Sequence, residues 1–86
     1  MQNLSFSQAL VKVKQGEKIA REGWNGKGMW LRIYHPYSDK QFSITENEGA
    51  EGTLMPWIGM KTADNGFVPW LASQTDILND DWCVVD

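Results

Sequence analysis

Two short stretches of this 86-residue chain carry the side chains best suited to chemistry. The first is Arg21-Glu22-Gly23-Trp24-Asn25-Gly26-Lys27-Gly28, with three glycines, a tryptophan, an amide and two cations within eight residues. Glycine tolerates positive φ, so such a loop turns tightly and brings its backbone N–H groups close to a ligand. Trp24 offers a flat, rigid apolar plate beside that turn, and Arg21 and Lys27 can meet a phosphate. The second stretch is Trp70-Leu71-Ala72-Ser73-Gln74-Thr75-Asp76, an aromatic plate followed by four hydrogen-bonding side chains. Together they have the makings of a nucleotide site. The plates would stack bases, a carboxylate would accept from a ribose hydroxyl, and N–H groups and cations would meet phosphates. The same residue types also suit a plain glycine turn and two tryptophans that fill the core. Residue types alone leave both readings open.

Catalysis finds no support in the pattern. An enzyme needs a nucleophile with its base, a carboxylate pair in a cleft, or a metal. His35, the single histidine, has no evident serine or cysteine partner, and no Walker or Rossmann fingerprint is present. Asp80-Asp81 precedes Trp82, but adjacent carboxylates on a turn read as solvated. Cys83 stands alone, which excludes an intrachain disulfide and, with one histidine, a metal cluster. It reads as a small core residue without a basic neighbour to activate it. No metal and no cofactor are expected.

The elements that must position these stretches are legible from periodicity. Ser5-Phe6-Ser7-Gln8 reads as a capping box, and Phe6, Ala9, Leu10 and Val13 follow as an amphipathic stripe. The spacing predicts a helix over about 6–15, closed by Gly16. Lys18–Arg21 leads into the glycine loop as a strand and Met29–Tyr34 leaves it. Leu31 and Ile33 fall on one face of that second strand; Trp30, Arg32 and Tyr34 fall on the other. Gln41–Thr45 alternates like a weak edge strand, and Glu46–Thr53 reads as a mobile acidic loop. Leu54–Thr62 and Phe67–Trp70 flank Ala63-Asp64-Asn65-Gly66, a strong hairpin turn, with Pro69 marking a strand edge or end. Thr75 or Asp76 is expected to cap a brief helical turn reaching Asn79, and Trp82–Val85 closes the chain as a strand. The fold class is α+β: one N-terminal helix packed on a bent antiparallel sheet of about five strands. Residues 1–86 form a small single domain.

Composition sets further bounds. Residues 1–40 hold seven Lys/Arg against three Asp/Glu, and residues 41–86 hold one against eight, a split of +4 and −7. An acidic chain argues against a general DNA or RNA binder, though the basic first half permits a compact anion site. The N-terminus carries no basic and apolar leader, and no apolar run approaches a membrane span, so a soluble, cytoplasmic protein is expected. A domain this small has a marginal core, and five tryptophans exceed what it can bury. Some of them are expected at a subunit interface or a ligand site.

Ala20-Arg21-Glu22-Gly23-Trp24-Asn25-Gly26-Lys27-Gly28-Met29, Met60-Lys61-Thr62-Ala63-Asp64, the run Val68 to Asp76, and Asp80-Asp81-Trp82 together carry a resemblance, in order and spacing, to one family. The chain resembles the short phage and prophage proteins that include the second type of Thoeris anti-defence protein. The middle segment, residues 36–53, varies in length among them. The resemblance implies a non-enzymatic sponge that binds a cyclic ADP-ribose-type signal of Thoeris immunity and holds it uncleaved. It also implies a homotetramer with ligand pockets between subunits, and in some members separate sites for CBASS cyclic dinucleotides. Carried over by motif, Trp24 and Trp70 would stack bases, and Asn25, Ser73, Gln74, Thr75 and Asp76 would bond ribose and phosphate. Arg21 and Lys27 are further candidates. The alternative is a small structural or protein-binding module that docks a partner through exposed tryptophans.

Overall fold

A computed structural model describes residues 3–24, 28–36 and 55–86. The helix α1 spans Phe6–Lys14, and its start is the expected capping box: the Ser5 hydroxyl accepts from the Gln8 N–H while the Gln8 side chain accepts from the Ser5 N–H. Gly16 follows at φ +95°, a left-handed conformation that suits glycine and ends the helix. The remaining elements are β1 (Lys18–Arg21), β2 (Trp30–Tyr34), β3 (Trp57–Lys61), β4 (Phe67–Pro69), the short helix α2 (Gln74–Leu78) and β5 (Trp82–Val85).

The five strands form one antiparallel sheet in the order β4-β3-β2-β1-β5. Consecutive strands pair from β1 to β4, and the Asn65 backbone at φ 71° makes the tight turn between β3 and β4. Pro69 closes β4, an edge strand, where its missing N–H costs no ladder bond. The chain then crosses to the far edge, where β5 pairs with β1 at Arg21↔Trp82. That non-local pairing brings residues 21 and 81 together.

Alternation along β2 sorts the two faces. Leu31 lies with Ile19, Ala9, Val13 and Trp82 in a fully buried core beneath α1. Tyr34, also fully buried, lies on the other face with Trp57 and Phe67, at ring centroid distances of 5.1 and 5.8 Å. Gly59 permits that second cluster. A Cβ there would come within 2.7 Å of both the Trp57 and Tyr34 rings, so only a residue without one leaves room for them.

Three sequence expectations change. Ser73, not Thr75 or Asp76, caps α2, and Asp76 occupies the N3 position as its reciprocal partner. Asp81 is not a solvated turn residue, because it pairs with Arg21. Cys83 is only half-buried, with its thiol near the Ala20 carbonyl at 3.5 Å. Burial, then Glu22 and Asp81, push that thiol above its ordinary pKa, which keeps it protonated and unreactive. The edge strand expected at Gln41–Thr45 and the loop at Glu46–Thr53 lie outside the described residues. No helix among the described residues is long and apolar enough to cross a membrane, and no group of three or more metal-ligating side chains converges there.

Candidate functional site

The site is built on Trp82. This indole is fully buried, and three aromatic rings lean on it. Trp24 meets it edge-on at 5.4 Å, Trp70 edge-on at 6.0 Å, and Phe6 tilted at 5.4 Å. Edge-to-face packing of this kind is favourable beyond the area it buries, and it fixes ring orientation. Trp24 and Trp70 are each only half-buried, so each keeps part of a rigid plate in contact with solvent. Core packing and ligand stacking, which residue types left as alternatives, are therefore compatible in these two side chains.

Asp76 ties the two stretches together. This buried residue's carboxylate accepts three donors, two from the first stretch and one from the second. Arg21 Nη1 donates to Oδ1 at 2.9 Å, the Trp24 indole N–H reaches the same oxygen at 3.4 Å, and the Ser73 N–H donates to Oδ2 at 3.0 Å. The Ser73 hydroxyl in turn accepts from the Asp76 N–H at 3.0 Å. Burial pushes the Asp76 carboxyl up, but Ser73, Arg21 and Trp24 outweigh it and hold the group below the ordinary carboxylate range. A buried carboxylate at this position stays ionised because the Ser73 N–H and the Arg21 guanidinium both favour its charged form.

That cation is shared. Arg21 Nε donates to Asp81 Oδ1 at 2.8 Å, and Nη2 lies 3.4 Å from Oδ2. Both carboxylates raise the Arg21 pKa, Asp81 most, against the opposing effect of burial. Asp81 also accepts from the Gly23 N–H at 3.0 Å, and its backbone carbonyl accepts from the Glu22 N–H at 3.0 Å. A Cβ on Gly23 would lie 2.9 Å from Asp81 Oδ2, so glycine at 23 permits this approach.

The structure thus brings Arg21, Trp24, Ser73 and Asp76 into one bonded cluster, with Trp70 joined through Trp82. Gln74 and Thr75 are exposed in the first turn of α2, directly after the Ser73 cap. Asn25 and Lys27 lie outside the described residues. Arg21, read from the sequence as a phosphate contact, is engaged by two carboxylates, and Asp76, read as a ribose contact, is engaged by three donors. Sequence reasoning passed over Asp81 and Trp82 as parts of the site. The charge of Arg21 asked for a partner, but only the β1–β5 pairing identifies it.

A family model described as Thoeris anti-defense 2-like domain matches residues 4–85. Thoeris anti-defense 2 of Bacillus phage SP01 is 42% identical over 87 residues, an alignment covering 95% of this chain and 94% of that protein.

Proposed function

The chain belongs to the Thoeris anti-defense 2-like family, and on that premise we propose that it is a sponge for a nucleotide immune signal. An anti-defence role of phage origin follows from the family. The finer reading is that the protein binds a cyclic ADP-ribose-type signal of Thoeris immunity and sequesters it without cleavage. The observation that carries this reading is the pair of half-exposed indoles, Trp24 and Trp70, both braced on buried Trp82 beside exposed Ser73, Gln74 and Thr75. In this reading the plates stack on the bases, and Ser73, Gln74, Thr75 and Asn25 supply hydrogen bonds to ribose and phosphate. Lys27 is proposed, from the sequence motif, as a phosphate contact. Arg21 and Asp76 act by holding the plates and the cap in place.

Affinity arithmetic favours a pocket shared between subunits. A useful sponge needs roughly nanomolar affinity, about −12 kcal/mol. Two stacked bases supply about 1–3 kcal/mol each, so enclosure and charge-assisted hydrogen bonds must supply the rest. One small subunit can hardly surround a dinucleotide-sized ligand. Leu71 and Leu78, 91% and 74% exposed beside the site, are the apolar surface a second copy would cover. A homotetramer is the proposed assembly, acting in the bacterial cytoplasm.

A second ligand class is supported by the sheet face away from α1. There the Lys18 ammonium lies 4.6 Å from the centre of the half-buried Trp30 ring, with half-buried Arg32 along the same strand face. Cations interleaved with aromatic rings suit a cyclic dinucleotide at a site separate from the first.

Isothermal titration calorimetry with a cyclic ADP-ribose isomer tests the reading, with a cyclic dinucleotide titrated in parallel and mass measured by light scattering. Tight binding at one ligand per two chains, lost in Trp24→Ala and Trp70→Ala variants that stay folded, is the expected result. Recovery of intact signal after heat denaturation is expected of a sponge, whereas a hydrolase would return product. No binding of either ligand would move the protein to the alternative, a module docking a partner protein through its tryptophans.

A further inference from the structure

Asp81 belongs to no predicted ligand set, yet it bonds to Arg21, Glu22 and Gly23, where β1 runs into the glycine turn. Its carboxylate takes the Gly23 N–H at 3.0 Å and Arg21 Nε at 2.8 Å, while its backbone carbonyl takes the Glu22 N–H. Arg21 passes the constraint on to Asp76, which receives the Trp24 indole N–H. The loop would otherwise be a poor platform. Glycine-containing turns lose the most conformational entropy on ordering, and a ligand that had to order this one would bind more weakly.

We propose that Asp81 is the positioning residue of the site: it fixes the turn at Gly23 and, through Arg21 and Asp76, sets the orientation of the Trp24 indole before ligand arrives. The proposal rests on the reading that Trp24 stacks on a nucleotide signal. Asp81 does not touch the ligand in it. Its contribution is preorganisation, and loss of preorganisation shows chiefly as faster release.

Two substitutions separate this role from general stability. Asp81→Asn keeps the shape but presents an amide N–H where the carboxylate faces two donors, so either Arg21 or Gly23 loses its acceptor. Gly23→Ala keeps every charge and pushes the Asp81 carboxylate away from the residue 23 N–H, because the added Cβ would lie 2.9 Å from Oδ2. If the first variant fails to fold, the second carries the test.

The experiment is a ¹H–¹⁵N spectrum of each free protein, followed by stopped-flow dissociation of a cyclic ADP-ribose isomer. The Trp24 indole resonance is assigned by its loss in Trp24→Phe. The Trp57 indole N–H, beside Tyr34 on the other face of the sheet, serves as the internal control. The expected result is a shifted Trp24 indole with the Trp57 indole in place, and ligand release about tenfold faster or more, as for loss of a hydrogen bond to a charged group. A purely structural role would lower the melting temperature and leave the Trp24 resonance and the release rate unchanged, which would overturn the proposal. If the unmodified protein binds no cyclic ADP-ribose isomer, the ligand reading fails separately. The spectra alone then decide: a displaced Trp24 indole sustains the positioning role of Asp81, and an unmoved one ends it.

Discussion

The Trp82 indole N–H donates to the backbone carbonyl of Asp76 at 2.8 Å, from a side chain with no solvent exposure. This bond joins the last strand to the short helix through the ring against which Trp24 and Trp70 pack. Trp82→Phe would keep a ring in the core but remove the donor, leave the Asp76 carbonyl unpaired and open a small cavity. The expected loss is about 2–4 kcal/mol, from the unsatisfied carbonyl and the lost volume together. Urea denaturation checks it, and an unchanged midpoint would mean that the indole contributes packing that phenylalanine replaces in full.

The local half of this fold was legible in the sequence and the non-local half was not. The α1 capping box, its apolar stripe, the β1 strand and the Asn65-Gly66 turn depend on residues within a few positions of each other, where periodicity and turn chemistry decide. Arg21 and Asp81 are 60 residues apart, and their pairing depends on β5 returning to the edge beside β1. Nothing local announces that. The α2 cap is an intermediate case. Ser73, Thr75 and Asp76 are all capping residue types, and the reciprocal box forms at Ser73, where the N3 side chain, Asp76, bonds back to the Ser73 N–H. For Thr75 that position is Leu78, which cannot reciprocate.

Ser73→Ala should therefore cost more than Thr75→Ala. Losing an N-cap hydroxyl costs about 1 kcal/mol, which for a domain of this size lowers the melting temperature by roughly 4–8 °C. Thr75→Ala removes an exposed side chain at a non-capping position and should change it little. Circular dichroism melts of the two variants check the order. Equal shifts would assign no special role to the cap.

Gly59→Ala tests the second aromatic cluster. The added methyl would meet both the Trp57 and Tyr34 rings, and neither is the far end of a flexible chain. Overpacking of this kind costs about 1–3 kcal/mol and displaces the rings from their rotamers. Near-ultraviolet circular dichroism should report the displaced aromatics, with the far-ultraviolet spectrum retained. An unaltered near-ultraviolet spectrum would show that the rings do not close over Gly59.

Acid should dissolve the Arg21 cluster by protonating its two carboxylates. The Arg21 guanidinium, helped by the Gly23 N–H, outweighs burial and holds the Asp81 carboxyl below its ordinary pKa; Asp76 is held below it too, despite the opposing push of burial. Both groups thus release their protons more readily folded than unfolded. Their stabilisation is fully present above the unfolded carboxylate pKa, about 3.9, and is lost as pH falls through the lower folded values. Arg21 adds nothing to this window, because its raised pKa keeps it charged throughout. Stability measured by urea denaturation should be level for this cluster between about pH 5 and 7 and decline below about pH 4. Asp81→Asn should be less stable at neutral pH yet decline less steeply in acid, so the two curves converge. Parallel curves would mean that Asp81 titrates alike in the folded and unfolded chains, and that its bonds to Arg21 and Gly23 do not favour the ionised form.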